Sequence, residues 1–281
     1  VTTLITSLKQ FSEVLIQTGE IDPSYYMLYS ARRYSSHGED WVKRFCVAYL
    51  LFYHTGTAAK AADHEGADFW RCLKDAWENT RSRGPERRHF RGDKSWDALK
   101  FCSQYHPNKP EDMFDAPRFA INYKRFHAAA AKYPQFGDYF IWKWNDFSTC
   151  VFDDVRNMND CESYLPDVPK KALQRVWSDR HWQNSFEYLI NLISDIPEPF
   201  CIIPRRPCGP QEAETIACSL KGYVLEHPPT YIGYDIHEKH AQLEKLMGED
   251  SWLSKLLPGR VAPSEYKVDK DAILDSARLP A

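Results

Sequence analysis

The chain has 281 residues, 43% of them apolar and 27% charged, enough for one large globular domain or two modest ones. Glycine is scarce at 12 residues and tryptophan plentiful at 9, which argues against Gly-rich nucleotide-binding folds and turn-dense all-β folds. The net charge of −3 excludes a globally cationic nucleic-acid coat, so any DNA contact has to come from a local basic patch.

Leu4, Leu8, Phe11 and Leu15 recur at helical spacing and predict an amphipathic first helix closed by Gly19. A second helix is expected after Asp22-Pro23, with Asp as N-cap and Pro in the first turn. A third, from about Glu39 to Ala62, is apolar nearly all round in its middle and reads as the central buried helix. Further helices are expected over 66–80, 95–105, 116–132, 138–151, 168–194, 210–226 and 237–256, separated by prolines at 107/110, 166/169, 197–207 and 228/229. Strand-like alternation is confined to Phe200–Ile203 and a few residues near Tyr223, so the fold class is all-α. The Pro-rich stretch suggests a helical body over 1–197, a C-terminal helical part over 198–257 and a polar tail over 258–281.

The opening residues carry neither a charged n-region nor an apolar h-region. The longest apolar run, Phe45–Tyr53, is nine residues where a spanning helix needs roughly 20. A soluble protein with no membrane partner is expected. Eight cysteines without CxxC or paired-His spacing predict reduced, structural thiols in a cytosolic setting, and no metal site. Cys201 and Cys208 have a spacing that can open a four-cysteine iron–sulfur loop, but two more cysteines are needed close by; the next, Cys218, is ten residues away and the set is incomplete.

Four stretches have the residue types that chemistry needs. Residues 81–94 hold six basic side chains, five of them Arg, against Glu86 and Asp93, with His89 and Phe90 among them. Arg forks bind phosphate oxygens bidentately, so Arg87, Arg88 and Arg91 are candidates for a diphosphate; a solvated charged linker is the plain alternative. Gly137 opens an aromatic-rich helix containing Trp142, Lys143 and Asp146; a glycine turn there offers free N–H groups to a phosphate, while a core-facing aromatic stripe is the competing reading. Asp153, Asp154 and Asp160 form an acidic loop in which a general base or a simple cap is possible for each. Pro210 starts a helix on which Gln211, Glu214 and Cys218 share a face, with Lys221 following; Glu212 and Glu214 are weighed between capping and deprotonating an amine. The Gly233-Tyr234-Asp235 turn has no evident meaning on its own.

Taken in order, the strings Glu86-Arg87-Arg88-His89-Phe90-Arg91-Gly92, Gly137…Trp142-Lys143…Asp146, Gln211-Glu212-Ala213-Glu214-Thr215…Cys218 and Gly233-Tyr234-Asp235-Ile236 resemble the phage amino acid:DNA transferases. That family is also described as α-glutamyl/putrescinyl-thymine pyrophosphorylases and is related to helix-hairpin-helix DNA glycosylases. The likeness runs from about residue 22 to 240. It implies a helix-hairpin-helix glycosylase-like architecture in the cytoplasm of a phage-infected bacterium. The implied substrate is duplex DNA in which 5-hydroxymethyluracil has been pyrophosphorylated. A free amino acid, glycine or similar, or a polyamine would displace pyrophosphate to give a hypermodified thymine. On this reading Arg87, Arg88, Arg91 and His89 stabilise the leaving diphosphate, Glu214, Glu212 or Asp146 serves as the acid–base group, and Gly137, Trp142 and Lys143 meet DNA and an extruded base. No cofactor is firmly implied; Mg²⁺ accompanying the diphosphate is compatible but has no ligand signature. The Leu-Pro-Gly-x-Gly turn of glycosylases is absent, which counts against one rival, excision of a modified base; the other rival is a non-catalytic DNA-binding module anchored by the arginine loop.

Overall fold

The computed structural model describes residues 2–80, 93–154, 160–197, 207–225 and 232–278. Among these residues lie fourteen α-helices and two three-residue strands, so the fold is all-α. The chain forms two compact units, each assembled from separate stretches: 1–26, 161–238 and 258–281 make the first, 27–160 and 239–257 the second. The division expected at 197/198 falls inside the first unit, and the sequence offers no marker for the boundaries at 26 and 160.

In the first unit, β1 (Thr3–Ile5) pairs in parallel with β2 (Tyr266–Val268), Ile5 opposite Val268. Both strands differ from expectation: Leu4 leads out of a strand rather than a helix, and the supposed loose tail contains β2 and α14 (Lys270–Arg278). Tyr223, considered for a strand, is helical, and Phe200–Ile203 lies outside the described residues. Helix α1 (Leu8–Gln17) starts at Ser7, whose hydroxyl accepts the Gln10 N–H, and buries Leu8, Phe11 and Leu15. This is the standard side-chain cap followed by an apolar stripe. The single helix expected over 168–194 is two, α10 (Asp167–Val176) and α11 (Trp182–Ile193), because the His181 ring caps a new start. The indole of Trp177, in the break, donates to the Ala277 carbonyl at 2.6 Å. Helix α12 (Pro210–Val224) packs on α10 and α11.

The second unit is built on α3 (Gly38–Phe52), which is buried around most of its circumference. The long helix expected to Ala62 breaks at Tyr53, whose φ of 52° is left-handed without being glycine, and resumes as α4 (Thr55–Ala62) with the His54 ring as cap. Helices α5 (Gly66–Thr80) and α6 (Asp93–Tyr105) flank residues 81–92 in sequence. The helix expected over 116–132 is likewise two, α7 (Pro110–Arg118) and α8 (Tyr123–Ala130), parted after Pro117 by the Asn122 cap. Helix α9 (Asp138–Phe152) begins where predicted, at Gly137. The unit also takes the larger parts of α2 (Pro23–Tyr34) and α13 (Tyr234–Met247), whose first turns belong to the first unit.

Gly56 explains itself by close approach: a Cβ there would stand 2.1 Å from the backbone oxygen of Gln242, whose side chain also accepts the Thr55 N–H at 2.7 Å. Alanine is the better helix former by about 1 kcal/mol, but the backbone contact reverses that gain. Gly56→Ala is expected to destabilise by about 1–3 kcal/mol, read as a lower urea midpoint at unchanged slope.

Candidate active site

Helix α9 is unusual for a core helix. Its N-cap Gly137 is exposed with φ −82°, and nothing lies within 4 Å of where a Cβ would be, so local geometry does not require glycine there. One turn on, Trp142 is wholly enclosed, 5.4 Å from the Tyr123 ring, and Lys143 is 2% exposed. The Lys143 ammonium lies 3.3 Å from the carboxylate of Asp146, itself 0% exposed. Asn145, Ser148 and Thr149 are buried beside them. Five polar side chains thus enter the interior of this unit from one helix. Interiors tolerate a buried ion pair but gain little from it, because desolvation offsets the Coulomb attraction. The competing reading, a core-facing stripe, describes Phe140, Trp142, Trp144 and Phe147, while Tyr139 is half-buried; Trp142 and Lys143, expected to meet DNA, are enclosed, and Lys143 and Asp146 are brought together.

The three acids after α9 have defined partners. Asp153, left-handed at φ 64°, bridges Arg32 at 3.3 Å and Arg33 at 3.2 Å. Asp154 receives a hydrogen bond from the buried Arg118, which also reaches Glu39 at 3.0 Å and Asp115 at 3.2 Å. Burial pushes the Glu39 carboxyl up, but the Arg118 hydrogen bond and the charges of Arg118, Arg32 and Lys43 outweigh it and hold it below the ordinary value. Asp160 accepts from Asn122 at 3.0 Å.

On α13, Lys239 is buried, donates to the Tyr49 hydroxyl, and sits 4.6 Å and 5.2 Å from the ring centroids of Tyr49 and Tyr53. Tyr139 donates to the Tyr53 hydroxyl at 2.9 Å, linking this cluster to the first turn of α9. The sequence singles out none of it: Lys239 falls in the helix expected over 237–256, and Tyr49 and Tyr53 in the apolar run Phe45–Tyr53.

In the first unit, the two acids of α12 separate by role. Glu212 reaches back to the Gly209 N–H at 2.8 Å and closes the helix N-terminus. Glu214 is 0% exposed, and the Thr215 hydroxyl donates to it at 3.4 Å. Of the predicted face, Gln211 and Glu214 are buried while Cys218 and Lys221 are half-buried and in contact at 3.5 Å. The Gly233-Tyr234-Asp235 turn is held by Glu20, whose buried carboxylate accepts the N–H of Gly233 at 3.1 Å and of Asp235 at 2.7 Å. Gly233 has φ +95°, and a Cβ there would lie 2.4 Å from the Val261 oxygen, so only glycine fits. Burial and the Glu20 charge push the Tyr223 phenol up to about 12. Glu20 is absent from the sequence-based candidates because its partners are more than 200 residues away.

Arg87, Arg88, His89 and Arg91 lie outside the described residues. Among the described residues no three His, Cys, Asp or Glu side chains gather as a metal site, seven cysteines are free thiols, and no helix is long and apolar enough to cross a membrane.

A putrescinyltransferase of Delftia phage PhiW-14 is 28% identical over 253 residues, covering 85% of this chain and 77% of its own. A glycinyltransferase of Pseudomonas phage PaMx11 is 31% identical over 115 residues, 38% of either chain. The family model for amino acid:DNA transferases matches residues 7–228, a span that includes Lys143, Asp146, Glu212 and Glu214. With so much of its length in that match, the chain belongs to the amino acid:DNA transferase family and is a transferase that acts on DNA.

Proposed function

We propose that the enzyme joins the amine of an amino acid or polyamine to 5-(pyrophosphomethyl)uracil in duplex phage DNA, releasing pyrophosphate, in the cytoplasm of the infected host. The observation that carries this reading is the family match over residues 7–228, with relatives named for putrescine and glycine transfer. In the reaction a C–N bond forms at the exocyclic methylene, the C–O bond to pyrophosphate breaks, and the electron pair leaves with pyrophosphate. The amine's proton passes to a carboxylate.

Glu214 is the proposed base: a fully enclosed carboxylate costs stability, and unlike Glu212 it does not close the helix N-terminus. Arg87, Arg88 and Arg91, with His89, are proposed to receive the departing diphosphate. Gly137 is proposed to face the DNA backbone, since neither its φ nor its surroundings demand glycine. Trp142 and the Lys143–Asp146 pair form the interior on which that helix end is mounted.

The test is nucleoside mass spectrometry after incubating the protein with pyrophosphorylated DNA and a panel of amines including glycine and putrescine. An amine-dependent heavier nucleoside with equimolar pyrophosphate is expected. Abasic sites without an adduct would replace this reading with base excision. DNA bound with every nucleoside mass unchanged would replace it with a binding module.

A further inference from the structure

We propose that the loop joining α7 to α8 is a DNA-intercalating wedge, with Phe119 and Ile121 entering the base stack where the target base leaves it. This rests on the reading of a transferase that must reach a base within duplex DNA.

Phe119 is 64% exposed and Ile121 58%, and they are the only two large exposed apolar side chains among the described residues that lie within three positions of each other. The loop that presents them is braced from below. The Ala120 N–H bonds the Pro117 carbonyl at 3.1 Å. Arg118, anchored by Asp154, Glu39 and Asp115, places its guanidinium 5.4 Å from the Phe119 ring centroid. Asn122 accepts the Arg125 N–H at 3.0 Å and donates to Asp160 at 3.0 Å. Two apolar side chains held in water on a stapled loop are a device for insertion, since a loose loop would fold them away.

The charge around them selects the partner. From Ala116 to Gly137 the chain has no Asp or Glu and four cations, Arg118, Lys124, Arg125 and Lys132. Lys124, Arg125 and Lys132 are exposed and form no ion pair with a described residue. That formal charge equals the one on residues 81–94. An apolar tip followed in the chain by exposed cations matches duplex DNA, where the side chains unstack a base step and the cations meet nearby phosphates. Two side chains make too small an apolar patch for a stable protein partner. The loop also backs onto the candidate site: Tyr123, the residue after Asn122, packs on Trp142 next to Lys143.

The test uses the full chain, its Phe119→Ser/Ile121→Ser double variant, and a duplex with 2-aminopurine beside the pyrophosphorylated base. With wild type, 2-aminopurine fluorescence rises on binding as its neighbour unstacks; the double variant binds the duplex but gives no rise. Transfer by the double variant falls by about tenfold or more on the duplex and by less than about threefold on the same strand unpaired, where no stack has to be opened. Its melting temperature stays unchanged because both side chains are exposed. A full fluorescence rise in the double variant, no rise with wild type, or an equal loss of transfer on paired and unpaired strands would each overturn the wedge. So would a wild-type dimer that the double variant abolishes. If wild type gives no adduct yet the fluorescence rise still depends on Phe119 and Ile121, the wedge stands and the proposed transfer chemistry falls.

Discussion

Lys143→Met or Asp146→Asn alone is expected to lower stability by about 3–5 kcal/mol, because each removes one half of a buried ion pair and leaves the other charge in the interior. The double variant Lys143→Met/Asp146→Leu removes both charges and should recover most of that loss. Buried ion pairs replaced by apolar residues of similar volume are often neutral or better. The informative readout is therefore the double variant's activity. If the pair orders the Gly137 end of α9 for DNA, the refolded double variant binds duplex DNA weakly while melting normally. Urea denaturation gives the stabilities, and the nucleoside assay with a DNA titration gives the rest. A double variant as active as wild type would show that the pair serves packing alone.

The second large effect is expected at Glu214. Glu214→Gln keeps the volume and the Thr215 hydrogen bond while removing the base, and should cut the transfer rate constant by about 10²–10⁴-fold. Stability should stay level or rise, since an enclosed carboxylate is replaced by a neutral amide. Glu212→Gln provides the contrast. It weakens the cap on the Gly209 N–H and should cost about 0.5–2 kcal/mol of stability, with a far smaller loss of rate. Rate and stability measured side by side separate the two effects: Glu214→Gln loses rate at level stability, and Glu212→Gln loses stability at nearly level rate. If both variants lose stability and neither loses rate, Glu214 is a structural acid.

Much of the helical order was legible because its signals are local. Pro210 at a first turn and Gly137 before an aromatic run place the starts of α12 and α9, and the stripe of Leu8, Phe11 and Leu15 places α1. Long helices were overextended where the breaker is not a conventional one. Tyr53 adopts a left-handed conformation against its propensity, and His54 and His181 cap with ring nitrogens, which no Ser, Thr, Asp or Asn pattern announces. The strands escaped because three residues cannot show a period and their partners are 263 positions apart. At the site, Glu212 and Glu214 look alike in sequence, and only the reach of Glu212 to Gly209 parts them. Lys239, Glu20 and the Phe119–Ile121 tip depend on contacts, or on exposure, that arise only when distant segments meet.

The way the chain threads its two units has a consequence during synthesis. Strand β1 is synthesised 263 residues ahead of its partner β2 and has to wait for it. The Trp177 indole likewise waits for the Ala277 carbonyl, and Thr55 and Gly56 wait for Gln242. Neither unit can close before its last stretch, 239–257 for the second and 258–281 for the first, has been made, so the order of emergence does not set the order of folding. A polypeptide trimmed to the family-matched residues 7–228 would lose β1, β2 and the Gln242 anchor at a stroke. Expression boundaries for this enzyme are therefore dictated by its topology, and they lie outside the region in which its ancestry is written.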